Sequence, residues 1–396
     1  MIQLLLVIIY LAFISLGLPD SMLGAAWPSM YDGLGVPVSY VGAISMIIAL
    51  GTILSSLGSD RLAHRLGTGK IVLISVATTA IALFGFSISN TFLELCLWAL
   101  PYGLGAGSVD AALNNYVAIN YKSRHMSWLH CMWGVGATVG PYIMGHYLIQ
   151  GRSWSAGYQS IGVIQIALTA ILLFSLPLWK KQKDKNESAP QQDKKRLSLK
   201  EVVSIIGVKE VMLCFFLYCA LEQTTGLWAS SYLTMYKGIA PELAASYAGL
   251  FFIGITIGRA ISGFMTFRLS DAKMIRLGSG IILLGIICML LPLSQSISLV
   301  GLILIGLGCA PIYPCIIHST PALFGESRSQ AVIGVQMASA YIGTCLMPPL
   351  FGVLAKTLRI SLLPVYLLFC LLFMVFMYER LIMKTKKLSG GVGNGD

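Results

Sequence analysis

Lys181-Gln182-Lys183-Asp184-Lys185-Asn186-Glu187-Ser188-Ala189-Pro190-Gln191-Gln192-Asp193-Lys194-Lys195-Arg196 is the only long polar run in this chain. Extended to residue 207, it reads as a water-exposed linker, with Leu197–Glu201 opening a short interfacial helix. On both sides the sequence breaks into apolar stretches close to the roughly 20 residues that cross a bilayer. Working outward to the N-terminus gives 158–180, 127–150, 93–120, 70–89, 39–58 and 4–30. Working outward to the C-terminus gives 208–235, 243–266, 274–293, 298–323, 331–356 and 361–382. The expected fold is an all-α membrane protein with twelve transmembrane helices in two pseudo-symmetric six-helix bundles. The bundles take residues 1–180 and 208–388, the linker takes 181–207, and Gly-rich 389–396 is expected to be a disordered tail. The first span is read as retained, because it lacks the basic start and small-residue cleavage site of a signal peptide.

Composition supports the same solvent. Hydrophobic residues make up 56% of the 396 positions and charged residues 11%, with a mean hydropathy of +0.80. A soluble domain carries about 25% charge, so a soluble enzyme, a disordered chain and a nucleic-acid binder are all excluded as expectations. The net charge of +11 is a topological signal instead. Of 27 Lys and Arg, four (Arg152, Lys237, Lys356 and Arg359) fall in the loops of one face, and Arg259 lies inside a span. The other 22 gather on the opposite face, which the positive-inside rule makes cytoplasmic, with both termini. Nine scattered cysteines without a C-x-x-C pair give no zinc or disulfide pattern, and neither a metal nor another cofactor is expected.

The two halves repeat at a nearly constant offset. Asp20 and Gly24 match Glu222 and Gly226, 202 positions on. Arg65, Leu66 and Lys70 match Arg268, Leu269 and Lys273 at 203, as Gly103-Leu104-Gly105 matches Gly306-Leu307-Gly308. Gly136, Pro141 and Gly145 match Gly343, Pro348 and Gly352 at 207.

Six plus six spans around a basic central loop resemble the major facilitator superfamily, in which two halves rock about a central site. The family's loop after the second helix is similar to Asp60-Arg61-Leu62-Ala63-His64-Arg65-Leu66-Gly67-Thr68-Gly69-Lys70, with His64 standing where the family has an acid. The resemblance assigns Asp60, Arg61, Arg65 and, through the repeat, Arg268 to gating. Five further stretches resemble the fucose:proton symporter family and its sodium-dependent-glucose-transporter-like bacterial branch. They are Gly17–Gly24 with Trp27-Pro28, Asp110–Tyr116, Leu129-His130 with Gly134–Ala137, Glu222–Trp228, and Met347-Pro348-Pro349. That resemblance implies coupling carboxylates on the first and fourth helices. The fourth-helix acid matches Asp110, whereas the first-helix acid falls on Gly24, four positions from Asp20. An Asn on the family's fifth helix falls near Trp133, and these departures argue against fucose itself.

Of sixteen acids, only Asp20, Asp110 and Glu222 fall well inside spans, whereas Glu94, Glu210 and Glu379 lie within the terminal turn of theirs. A carboxylate at mid-bilayer costs about 2.5–3.5 kcal/mol on insertion scales. It must face a wet cavity, find a partner or take up a proton, and the last is what a proton carrier requires. Asp20, Asp110 and Glu222 are therefore the coupling candidates, with His130 either a proton shuttle or a satisfied core histidine. Asp110 and Asn114 share a helix face. Asn114, Asn115 and Gln223 offer amides to a solute, and Trp133, Trp228 and Tyr313 offer aromatic faces. His318 and Gln336 are further cavity candidates. Arg259, the one basic residue well inside a span rather than at its end, is read as a gate or a snorkelling side chain.

The expected function is secondary active transport of a small polar solute, a monosaccharide by leading choice, in symport with a proton. Sodium-coupled sugar symport and proton-coupled efflux of drugs or lipids are the alternatives. The expected setting is a bacterial inner (plasma) membrane, with a monomer partnered by solute, coupling ion and lipid.

Overall fold

The computed structural model describes residues 2–121, 123–180, 198–265, 268–292 and 294–390. Its long helices are α1 (Ile2–Asp20), α3 (Val41–Leu66), α4 (Thr68–Ile88), α5 (Phe92–Asn120), α6 (Ser123–Ile149) and α7 (Trp154–Lys180), followed by α9 (Val208–Met235), α10 (Pro241–Met265), α11 (Asp271–Leu290), α12 (Gln295–Phe324), α13 (Glu326–Thr357) and α14 (Leu363–Gly390). Two short helices are α2 (Met22–Ala26) and α8 (Leu199–Ser204). No strand occurs among the described residues.

Among the described residues, eleven spans are long and apolar enough to cross a membrane, against the twelve expected. The helix outside that set is α6, where His125, His130, His146 and four glycines dilute the apolar content. Most of the polar run that divides the chain, residues 181–197, lies outside the described residues. The short interfacial helix appears as α8, started by a capping box in which Ser198 and Glu201 satisfy each other's backbone N–H. Helix α14 continues to Gly390, two residues into the expected tail, and residues 391–396 lie outside the described residues.

The repeat is visible in how helices touch. A methyl on Gly103 of α5 would run into the Ile48 carbonyl oxygen of α3, and one on Gly306 of α12 would run into that of Phe251 on α10. Gly136 of α6 approaches the Ile14 carbonyl of α1 as Gly343 of α13 approaches that of Phe216 on α9. Glycine is needed here because such small residues let helix backbones close to contact in a bilayer, where tails supply no hydrophobic drive between helices.

The first span is two helices, not one. Pro19 has no N–H for the carbonyl four residues back and its ring crowds that carbonyl. Helix α1 stops at Asp20, Ser21 forms a turn, and α2 leads into a 3-10 turn over Trp27–Ser29 with Pro28 inside it. The break sits beside the carboxylate.

Candidate functional site: a central cavity open at one end

A cavity of about 1380 Å³ is walled by α1, α3, α5 and α6 on one side and α9, α10, α12 and α13 on the other. Helical spacing explains the wall. Tyr102, Ala106 and Asp110 recur every four residues on α5, Ser45, Ile48, Ala49 and Thr52 follow the same rule on α3, and Cys219, Glu222, Gln223 and Gly226 do so on α9.

One end of this space is closed. Gly24 of α2 meets the backbone of α9, where an added methyl would lie 2.6 Å from the Gly226 carbonyl oxygen. Ser230 donates to the Ala25 carbonyl at 3.2 Å, which joins α9 to α2. Trp27 and Trp228 are fully buried there, donating their indole N–H to the carbonyls of Val38 and Pro348. The other end is open. Trp128 (49% exposed), Phe264 (72% exposed), Asp271 and His318 line its mouth. This is also the end at which α7 finishes and α9 begins. Trp179 of α7 packs on Tyr116 of α5, and Glu210 of α9 binds Lys384 and Arg380 of α14 at 2.5 and 3.4 Å.

Deep in the cavity a chain of contacts runs from Asp20 of α1 through Trp133 and Arg259 to Glu222 of α9, and Asp110 stands apart from it. Asp20 accepts from Tyr102 Oη at 2.6 Å and from Trp133 Nε1 at 2.8 Å. The Arg259 guanidinium of α10 stands 5.0 Å from the Trp133 ring centroid, donates to the His130 carbonyl at 3.0 Å and lies 3.9 Å from Glu222. Arg259 thus binds a carboxylate of its own half and two groups of α6, so it is a cavity residue and not a snorkelling one. Asp110 accepts from Asn114 Nδ2 at 2.9 Å through Oδ1. Its second oxygen has no hydrogen-bond partner among the described residues.

The expected residues divide accordingly. Asp20, Asp110, Glu222, His130, Gln223, Trp133, Tyr313, Arg259 and His318 all line the cavity. His130 turns its ring edge toward Phe13 at 5.9 Å, and His318 is at the mouth, paired with Asp271 at 2.8 Å. Four solute candidates lie elsewhere. Trp228 is packed into the closed end, and Gln336 is fully buried in a mutual hydrogen bond with Thr320. Asn114 stands behind Asp110, and Asn115, turned about 100° further round α5, is exposed off the cavity wall. Arg65 and Arg268 are exposed on the linker face, and the side chains of Asp60 and Arg61 lie outside the described residues. Tyr102 was missed. Its signal was present, since it lies eight positions before Asp110 on the same face. Gly24, where the resembling family carries an acid, is pressed against α9 with no room for a side chain. In this chain an acid stands one turn earlier, at Asp20.

The comparisons with known proteins agree with this architecture. The sequence profile described as Major Facilitator Superfamily matches residues 9–348 and 211–391. The chain belongs to that superfamily. It is a multi-pass membrane transporter and not an enzyme. It is 24% identical over 384 residues to Bypass of stop codon protein 6 of Saccharomyces cerevisiae, covering 89% of this chain and 77% of that protein. It is 22% identical over 353 residues to the Glucose/mannose transporter GlcP of Bacillus subtilis, covering 87% and 86%. A crystal structure of nucleoside transporter NupG superposes with a TM-score of 0.74 at 12% identity, covering 95% of this chain and 98% of that one, which is a likeness of fold.

Proposed function

We propose that this transporter moves a neutral monosaccharide in symport with protons by alternating access. The observation that carries this is the charge balance of the cavity. Asp20, Asp110 and Glu222 line it, and Arg259 is its only Lys or Arg among the described residues. Arg259 is committed to Glu222, and among the described residues Asp20 and Asp110 have no cation beside them. Unpaired carboxylates out of bulk water are costly unless they take up a proton. A net-negative cavity also disfavours a solute carboxylate or phosphate, which would need a free cation. A neutral polyol needs what is there: carboxylate and amide oxygens at Asp20 and Gln223, and the Trp133 face for the C–H side of a sugar ring. The similarity to a glucose/mannose transporter fits this class.

The two N-terminal acids have different tasks. Both oxygens of Asp20 are engaged by donors, from Tyr102 and Trp133. Asp110 keeps one oxygen for a proton, and its charge repels that of Asp20. Protonation of Asp110 removes a negative charge that closure would otherwise trap out of water, so the halves can close over bound solute at the far face and open at the linker face. The arrangement seen here is the one open on the linker side. That side is cytoplasmic in this proposal, which includes cytoplasmic termini, α6 as a twelfth span, two six-helix halves, a monomer and a bacterial inner membrane.

The test uses purified protein in proteoliposomes with labelled D-glucose and D-mannose, driven in turn by a proton gradient and a sodium gradient. Accumulation that follows the proton gradient supports the proposal. Accumulation that follows sodium and ignores pH overturns the coupling ion. Stabilisation by amphiphilic cations but by no monosaccharide overturns the solute class.

A further inference from the structure

We infer that Gln165 of α7 is a positioning residue for Asp20, acting through the backbone carbonyl that Pro19 deprives of its helical donor. The inference rests on the reading of Asp20 as a working carboxylate. In an uninterrupted α1, the N–H of residue 19 would donate to the carbonyl of Ser15. Pro19 has none, and a buried carbonyl left unpaired is costly. Gln165 supplies the missing donor, since its Nε2 donates to the Ser15 carbonyl oxygen. Gln165 is 1% exposed, on a helix that is otherwise among the most apolar of the chain, and a buried amide there needs such a partner.

The remaining half of the amide points the same way. Gln165 Oε1 is buried with no protein partner among the described residues. It borders a second cavity, of about 10 Å³, whose wall also holds Ser15, Pro19, Thr79 and Tyr102. That is room for a single water with polar neighbours. Tyr102, on the same cavity wall, donates through its hydroxyl to Asp20 Oδ1. Gln165 therefore holds the backbone that ends α1 at Asp20 and shares a cavity wall with Tyr102, a donor to the carboxylate. No other described residue on α7 lines either cavity. A glutamine on the sixth span thus sets the angle at which the first span delivers its acid.

The link between Gln165 and Pro19 gives a sharp test by double-mutant cycle. Gln165→Leu orphans the Ser15 carbonyl. Pro19→Ala restores a backbone N–H to it, so Gln165 has nothing left to satisfy. Proton-driven D-glucose accumulation and thermal unfolding in detergent are measured for wild type, Gln165→Leu, Pro19→Ala and the double variant. In the wild-type background, Gln165→Leu is expected to lower the accumulation rate roughly tenfold. It is also expected to move the pH midpoint by about half a unit or more, which loss of packing alone would not do. In the Pro19→Ala background the same change is expected to cost less than about twofold. Equal losses in both backgrounds, or a lower rate with an unmoved pH midpoint, overturn the inference. If Gln165→Leu does not fold, Gln165→Met removes the donor with a more adaptable side chain. If wild type accumulates no D-glucose on a pH gradient, the proposed function fails while the unfolding cycle still decides the role of Gln165.

Discussion

Gly24→Ala should hold the closed end of the cavity open. The added methyl would lie 2.6 Å from the Gly226 carbonyl oxygen, 2.7 Å from that of Leu227 and 2.9 Å from the Leu227 Cα. These are backbone atoms of the opposite half, so no side-chain rotation relieves the clash. Reaching ordinary contact near 3.4 Å requires α2 and α9 to part by about 0.8 Å. That would also stretch the Ser230–Ala25 hydrogen bond. Overpacking of this kind costs about 1–3 kcal/mol. Because the contact exists only when this end is closed, the cost falls on one state and shifts the equilibrium roughly 5- to 150-fold toward the other. The assay is labelling of Gln223→Cys, which faces the cavity, by a membrane-impermeant maleimide from the far face, with all nine native cysteines replaced. Gly24→Ala is expected to raise that labelling rate at least fivefold over the Gly24 parent. An unchanged rate in a variant that melts at the parental temperature would refute the closed-end interpretation.

Three further outcomes follow from the geometry. Tyr102→Phe and Trp133→Phe each remove one donor from Asp20 and keep an aromatic ring, so each should slow proton-driven accumulation about tenfold in proteoliposomes, while D-glucose exchange at equilibrium changes less. Arg259→Gln leaves Glu222 without its cation, at a cost of about 3–5 kcal/mol where burial is complete. Arg259→Gln with Glu222→Gln should melt higher than Arg259→Gln alone, and a lower or equal melting temperature contradicts the pairing. The third concerns α8, outside the spans. The backbone N–H of Ser198, then its hydroxyl, hold the Glu201 carboxyl below its usual value. A depressed carboxyl stabilises the capped helix above the unfolded-state value, and that contribution is lost as pH falls through the folded value. Hydrogen-exchange protection of Glu201–Ser204 should fall on acidification, and Glu201→Gln should remove that dependence.

What the sequence made legible was what a membrane makes rare. Asp20, Asp110, Glu222 and Arg259 stood out because a charge inside a span needs a reason, and all four line the cavity. The polar run at 181–196 was read in the same way as a linker, and the uneven distribution of Lys and Arg as a sign of orientation. Residues whose role depends on rotation about a helix were harder to place. Helices such as α1, α5 and α12 are apolar on nearly every side, so no amphipathic stripe marks which face meets the cavity. Trp228 and Gln336 were expected at the solute and are instead packed into closed contacts, a distinction that depends on tertiary fit. The break after Asp20 was missed. Pro19 lies inside a stretch read as one span over 4–30, and the donor that repairs its ladder comes from α7, 150 positions away in the chain.

The central claim is that Asp110 carries the coupling proton, and Asp110→Asn tests it most directly. The amide keeps the size of the carboxyl and cannot take up a proton. In proteoliposomes, the variant is predicted to exchange labelled D-glucose across the membrane at equilibrium at close to the wild-type rate. It is predicted to lose accumulation against a gradient when a pH difference is imposed. Accumulation by Asp110→Asn at the wild-type level would contradict the account.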